Sequence, residues 1–442
     1  MFLYLTWLLA WIFTAFWIPT ACASANIVLI TLDTTRADRL SCYGYFRETT
    51  PNLDAFAEGA ILFENAITHM STTLPAHVSL FTSTYTTQHG VRGNLSPTFS
   101  AAYDPDGDIK TAALVLSELG YETAGFVSAV VLKRVTGISA GFATFREPAT
   151  QECRAEETTN AVIDWLNDGA REPFFLWVHY FDPHDIYSAP TPYRRFFSTD
   201  DALIRYLKAN EFTHWDRLDI QHYSNMYDGE VRYMDAEIGR LFRALRERGV
   251  WGETAIVVVG DHGEGLGQHD FIRHDPLFGE LLRVPLLLRL PGMKPGGGVR
   301  SRRLTALVDV LPTLCEELQI EIPPDVRSQF VGRNMIEEEA WDYVFSERAH
   351  GRERKLGPGS QFSLTGQDWK YYHATEKPDE LYDLRHDPFE LRNVIDEQPE
   401  VARRLKARIL SVIAEEPRPE PAARDSLSAE YVRELRALGY ID

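Results

Sequence analysis

Residues 26–33 read Asn-Ile-Val-Leu-Ile-Thr-Leu-Asp, a largely apolar, β-branched run that stops at an acid. The run is too short for a helix and too uniformly apolar for a half-exposed strand. It predicts a strand buried on both faces. Three similar runs follow at 174–181, 255–259 and 284–290. Between them lie stretches with helical spacing. Val231, Met234, Ile238, Leu241, Phe242 and Leu245 make one apolar helix face that should end near Gly249. Residues 158–166 and 308–318 offer two more helices. Strands and helices alternating in this order predict an α/β fold, a doubly wound and mostly parallel sheet with helices on both faces.

Past residue 330 the texture changes. Short runs at 343–346 and 368–373 predict small strands, and 401–413 predicts one helix. Residues 415–423, rich in Pro and Glu, predict a linker, and 428–438 a last helix stopped by Gly439. The expected organisation is an N-terminal segment (1–25), a catalytic domain (26–330), and a small C-terminal α+β subdomain with a tail helix (331–442).

Residues 2–18 are apolar apart from Thr6 and Thr14, and Pro19 and then Ala21-Cys22-Ala23-Ser24-Ala25 follow. An apolar stretch followed by small residues reads as a cleavable signal peptide. The first basic residue is Arg36, so the usual positive start is missing and a retained anchor is the alternative. The chain is therefore expected to be exported, periplasmic or extracellular, or else membrane-anchored through this segment alone. Cleavage would leave Cys42, Cys153 and Cys315, too dispersed for a disulfide framework or a metal-ligand spacing, and they read as small core residues. The 442 residues carry 45 Lys and Arg against 64 Asp and Glu, a net charge of −19. That balance argues against a nucleic-acid partner and leaves room only for a local pocket that takes a small anion.

Sites in open parallel sheets form outside the carboxyl ends of the strands. Three such ends carry polar residues: Asp33-Thr34, Asp182-Pro183-His184-Asp185, and Gly260-Asp261-His262-Gly263-Glu264. Any one acid after a strand is more often a cap or turn residue, but carboxylates and imidazoles delivered to one edge make a divalent-metal site. Ser71-Thr72-Thr73-Leu74-Pro75-Ala76-His77 is how an ordinary helix starts. It is also how a helix N-terminus aims backbone N–H groups at an anion. A hydroxyl held there against a metal is activated toward its alkoxide, with phosphate as a natural target. His269 reads as an orienting or a structural loop histidine, and His89 as a turn former. His179, inside a strand, reads as a satisfied core residue, and Trp177, Tyr180 and Phe181 as core.

Together these segments resemble the sulfatase family of the alkaline-phosphatase superfamily. The resemblance covers nearly the whole mature chain. Its carriers are residues 26–38, Thr50-Pro51-Asn52-Leu53-Asp54, Thr73-Leu74-Pro75-Ala76-His77, Asp182-Pro183-His184 and Asp261-His262-Gly263-Glu264-Gly265-Leu266-Gly267. Arg283-Val284-Pro285-Leu286, Glu380-Leu381-Tyr382-Asp383-Leu384 and Leu435-Arg436-Ala437-Leu438-Gly439-Tyr440 complete them. The resemblance implies hydrolysis of sulfate, phosphate or phosphonate esters at a metal centre. Asp33, Asp261 and His262 fall on metal-ligand positions, and Thr73 falls on the nucleophile position, against the metal. His77 falls where sulfatases have an Arg near the nucleophile. His184 and His274 fall near positions that hold the substrate's non-bridging oxygens or its leaving group. Lys133 lies close to the family's substrate-binding Lys. Residues 187–210 and 295–299 are expected to supply the pocket rim.

Three features depart from the family's pattern. Sulfatases convert a Cys or Ser, followed by x-Pro-x-Arg, into formylglycine; here the residues are Thr73 and His77. Many have two successive acids where this chain has Asp33-Thr34, and calcium-dependent members commonly have Asn where this chain has His262. A nitrogen ligand suits zinc or manganese better than calcium. The expected function is metal-dependent hydrolysis of a small anionic phosphate or phosphonate ester through a threonine nucleophile. The alternatives are a sulfatase working without formylglycine, a membrane-anchored phosphoryl-group transferase, and an exported binding protein without catalysis.

Overall fold

The computed structural model describes residues 25–95, 102–150, 152–210, 212, 216–274, 276–348, 359–415 and 427–437. All but the last residue of the expected leader, nearly all of the expected linker and Gly439 lie outside the described residues. The strands are β1 (Asn26–Leu32), β2 (Ile61–Ile67), β3 (Glu122–Phe126), β4 (Thr144–Arg146), β5 (Phe174–Tyr180), β6 (Thr254–Gly260) and β7 (Gly265–Leu266). They continue with β8 (Ile272–Arg273), β9 (Arg283–Arg289), β10 (Val299–Ala306), β11 (Val344–Arg348), β12 (Gln361–Thr365), β13 (Trp369–Ala374) and β14 (Glu380–Asp383).

Eight strands form the main sheet in the order β10-β2-β9-β6-β1-β5-β3-β4. β1 sits near the middle, parallel to β5 and β6. All three are buried along their whole length, which is why they read as unbroken apolar runs. β9 runs antiparallel to both β6 and β2, so the sheet is mixed but mostly parallel. Alternate residues of β1 serve opposite faces. Val28 and Ile30 join Val231, Met234, Ile238 and Leu241 of the long helix Leu218–Glu247. Ile27 and Leu29 join Leu74, Val78 and Phe81 of the helix Thr73–Thr82 and Leu311 and Leu314 of the helix Val310–Glu317. The long helix stops where expected, with Gly249 in the left-handed region at φ 82°.

The ladder runs one residue past each central strand. Asp33 N donates to Tyr180 O at 2.9 Å and Asp261 N to Leu32 O at 3.3 Å, so the two acids emerge side by side at the carboxyl edge. The loop 295–299 does not join them. Val299 pairs with Ile61, the first residue of β2, and β2 runs in the same direction as β1. That loop therefore lies at the opposite edge of the sheet, which corrects its expected place on the rim. Residues 187–210 are not all loop either, since they contain the helix Asp201–Ala209.

β11 to β14 form an antiparallel sheet. The helix Pro399–Glu415 packs on it through Leu405 and Ile409. The tail helix Ala429–Ala437 returns to the main core instead, burying Tyr431 and Leu435. Cys42, Cys153 and Cys315 are free thiols. Among the described residues no helix is long and apolar enough to cross a membrane.

Candidate active site

Asp33 leaves β1 into a strained turn. Thr34 has φ 47°, an uncommon value for a β-branched residue. Two bonds hold it there: its N–H donates to Asp261 Oδ1 at 3.2 Å, and its carbonyl accepts from the Tyr227 hydroxyl at 2.8 Å. Arg36, buried and paired with Asp38, donates to the carbonyl of Glu264 and to Gln268 Oε1. That guanidinium thus ties the loop after β1 to the loop after β6.

The Asp261 loop is shaped by Gly263. A Cβ at this position would lie 1.9 Å from Glu280 O, and the Gly263 N–H donates to Leu281 O at 2.8 Å. His262 Nδ1–H donates to Gly263 O at 3.0 Å, which leaves the Nε2 lone pair facing the cluster, the tautomer a metal ligand needs. Gly263→Ala should therefore displace His262. The expected results are a loss of about 1–3 kcal/mol in denaturant unfolding and a cation affinity weakened by roughly 10–100-fold in calorimetric titration.

Ligand-type atoms of Asp33, Asp261 and His262 lie within 4.8 Å of one another, and all three side chains are fully buried. Thr73, the first residue of its helix, sits beside them with Oγ1 3.3 Å from His262 Nε2. Both carboxylate oxygens of Asp33 and Asp261 Oδ2 lack a hydrogen-bond partner among the described residues. Each such buried group left unsatisfied costs about 1–3 kcal/mol. Burial pushes the Asp33 carboxyl up, against the histidines around it, and burial together with Asp33 pushes Asp261 well up. Burial, then His274, pushes His262 well down. A neutral imidazole beside orphaned carboxylates is the donor set of a divalent cation, whose charge would keep both acids ionised.

The other expected site residues fall around this cluster. His184 stacks on Phe181 with centroids 4.3 Å apart and donates from Nδ1 to Asp185 O. Burial and then His274 push it down to about 4. The His274 ring lies 4.7 Å from that of His262 and 5.1 Å from that of His184. Its Nδ1 is 3.6 Å from Glu264, a buried acid the sequence reading assigned no role. His77 lies beneath the cluster. Its Nδ1 is 2.8 Å from Thr73 O and its Nε2 3.0 Å from Thr31 Oγ1, so it meets the carbonyl of Thr73 and not its hydroxyl.

One reading needs correction. His179 is buried but not a satisfied core residue. Its Nε2 is 3.3 Å from Asp33 Oδ2, and neither ring nitrogen makes a hydrogen bond among the described residues. The reason is register: β5 pairs His179 with Thr31 of β1, next to the strand end that delivers Asp33. Lys133 makes an ion pair with Glu434 of the tail helix at 2.7 Å, which takes up its charge. Among the remaining histidines, His269 binds Glu280 and the carbonyl of Glu390, so it braces the segment behind Gly263 and touches no member of the cluster. His89 accepts from Val91 N and pairs with Ser79, as a turn former would. Trp177 and Tyr180 are fully buried and Phe181 nearly so.

A model of the Sulfatase family matches residues 25–320, and one described as N-sulphoglucosamine sulphohydrolase, C-terminal, matches 267–415. The chain is 23% identical over 408 residues to a Delta 4,5-hexuronate-2-O-sulfatase of Bacteroides thetaiotaomicron, covering 84% of each. It is 25% identical over 447 residues to an arylsulfatase of Clostridium perfringens, covering 84% of this chain and 90% of that one. The crystal structure of a phosphonate monoester hydrolase of Agrobacterium radiobacter shares the fold, with a TM-score of 0.72 and 23% identity over 89% of this chain and 96% of that one. With so much of its length matched by the family model, the chain belongs to the sulfatase family and is a hydrolase of sulfuric or phosphoric esters.

Proposed function

We propose that this chain is a metal-dependent hydrolase of phosphate or phosphonate monoesters that uses Thr73 as its nucleophile. One observation carries the reading: a threonine hydroxyl, which cannot become formylglycine, lies 3.3 Å from His262 Nε2 at the rim of the buried Asp33, Asp261 and His262 cluster. The nitrogen donor favours zinc or manganese over calcium. A divalent cation bound there supplies positive charge that lowers the Thr73 hydroxyl pKa and offsets charge on the ester.

The chain's own residues divide the work. The Thr73 helix aims its N-terminus at the incoming anion. Thr73 Oγ1 forms a bond to phosphorus as its hydroxyl proton passes by way of His184 Nε2 to the leaving oxygen, whose bond to phosphorus breaks. His184 has its Nδ1–H committed to Asp185 O, so its neutral Nε2 is a proton acceptor. In the second half it takes a proton from water, whose oxygen attacks phosphorus, and passes that proton to the departing Thr73 oxygen. Microscopic reversibility has the same nitrogen return a proton to the leaving oxygen. His274 and Glu264 hold this side of the pocket.

A second reading, a sulfatase acting without formylglycine, is favoured by the sulfatases among the relatives. Export is proposed with either reading, on residues 2–18 alone, and N-terminal sequencing of the mature protein tests it. Aryl phosphate, phenylphosphonate monoester and aryl sulfate assayed side by side separate the two chemistries. The phosphorus esters should turn over at least ten times faster than the sulfate. A dominant sulfate activity would reverse the assignment.

A further inference from the structure

Beneath the ligand set described above, a second group of ligand-type atoms lies within 4.8 Å of one another: His77, His179 and Asp261, all fully buried. Asp261 belongs to both groups, and the carboxylates face both ways. Asp33 Oδ1 is 3.9 Å from His262 Nε2, while Asp33 Oδ2 is 3.3 Å from His179 Nε2. Asp261 Oδ2 is 3.6 Å from His262 Nε2 and 3.6 Å from His77 Nδ1. Two acids flanked by one imidazole on the outer side and two on the inner side is the layout of a pair of cations that share carboxylates.

Three observations, two of them on His179, support an inner ligand set. His179 has no hydrogen bond on either nitrogen although it is sealed from solvent. Its 3.3 Å contact with Asp33 is misaligned for a hydrogen bond, so the ring is placed to share something with Asp33, not to donate to it. No Lys or Arg ion pair reaches Asp33 or Asp261 among the described residues. Among the described residues the side chains paired with the two acids are histidines, and Asp261 Oδ1 also accepts from the Thr34 and His262 backbone N–H groups.

We propose that the centre binds two divalent cations, the inner one held by His77, His179 and the shared carboxylates of Asp33 and Asp261. The proposal rests on the metal-dependent reading of the outer set. His77 joins by a tautomer exchange. Its proton moves from Nδ1 to Nε2, where Thr31 Oγ1 accepts it, and the freed Nδ1 lone pair turns to the cation. Thr73 O, released by Nδ1, keeps its place in the helix's own i→i+4 ladder. Thr31 Oγ1 already accepts from Trp177 Nε1 at 2.9 Å and has a second lone pair for His77. Trp177 on β5, Thr31 on β1 and His77 on its helix are thus joined through the Thr31 hydroxyl, with His179 two residues on from Trp177 in the same strand.

The test counts metal and reads its magnetism. Full-length protein is stripped with a chelator, reloaded with excess Mn²⁺, desalted, and analysed by plasma mass spectrometry and by electron paramagnetic resonance. The expected result is two Mn²⁺ per chain with an exchange-coupled spectrum. His179→Ala should fall to one Mn²⁺ per chain with an isolated six-line signal. Thr73→Ala should keep two. One Mn²⁺ in the wild type, with an uncoupled signal, overturns the second site and leaves the hydrolase reading intact. No bound metal in the wild type overturns both. Two Mn²⁺ retained by His179→Ala overturns the assignment of His179. Should that variant fail to fold, the coupled or uncoupled spectrum of the wild type decides alone.

Discussion

Thr73→Ala is expected to leave a folded protein whose hydrolytic rate has dropped by on the order of 10⁴-fold or more. The size of the effect follows from the role. A nucleophile that forms a covalent ester divides one hard displacement into two easier ones, and no neighbour can replace it. The lack of a folding penalty follows from position. Thr72 is the cap of this helix, and among the described residues Thr73 Oγ1 makes its side-chain contact with His262. Alanine is also at least as good a helix former. Melting temperature should therefore stay within a few degrees of the wild type. Thr73→Ser keeps a hydroxyl at the same place and should retain activity within about tenfold. Acid quench during turnover should recover the ester on the peptide that carries Thr73 in the wild type and in Thr73→Ser, and never in Thr73→Ala. Full activity in Thr73→Ala, checked for contaminating hydrolase by purification to constant specific activity, would sink the nucleophile role.

The parts of the site that were legible in the sequence are those carried by strands buried on both faces. Such strands show as apolar runs, and an acid at their carboxyl ends stands out. Asp33, Asp261 and His262, which the structure brings together, stand out this way, and Thr73 does so through the helix start beside it. The rest was hidden for identifiable reasons. β10 opens Val-Arg-Ser-Arg-Arg with an exposed face, so it has no apolar run to see. β3 is five residues with a glycine, and β4 is three. His179 sits inside an apolar strand, where local sequence says core. Its polar neighbour is Asp33, about 150 positions away along the chain, and only the strand register reveals the meeting. The pairing of Lys133 with Glu434 was hidden because the partner lies 301 residues on, in the tail helix. Apolar periodicity reports burial, and it is silent on which strand lies next to which.

Chelation should remove nearly all hydrolysis and also change how stability responds to pH. A cation that binds only the native state adds RT ln(1 + [L]/Kd), about 2.7 kcal/mol at a hundredfold excess over Kd. In a protein of this size that is roughly 3 °C of melting temperature. The pH dependence is the sharper readout. In the stripped protein burial raises the pKa of Asp33 and Asp261, so the native state holds protons that the unfolded chain has lost. The native state then binds more protons, and stability falls as pH rises from the ordinary carboxylate range toward the raised values. A bound cation removes that slope by keeping both acids ionised throughout. Other buried groups also titrate: burial raises Asp182 to about 7 and Glu230 to about 8, with the same sign. Because those groups titrate in both forms, the comparison must be the difference between stripped and loaded protein. That difference should widen steadily as pH rises from the ordinary carboxylate range toward the raised values, with Zn²⁺ or Mn²⁺ restoring stability and activity together and Ca²⁺ restoring neither. Asp261→Asn, which keeps the shape and removes the charge, should respond to added metal in neither respect. A gap between stripped and loaded melting curves that is constant with pH would mean that the cation, if bound, is not held by these two acids.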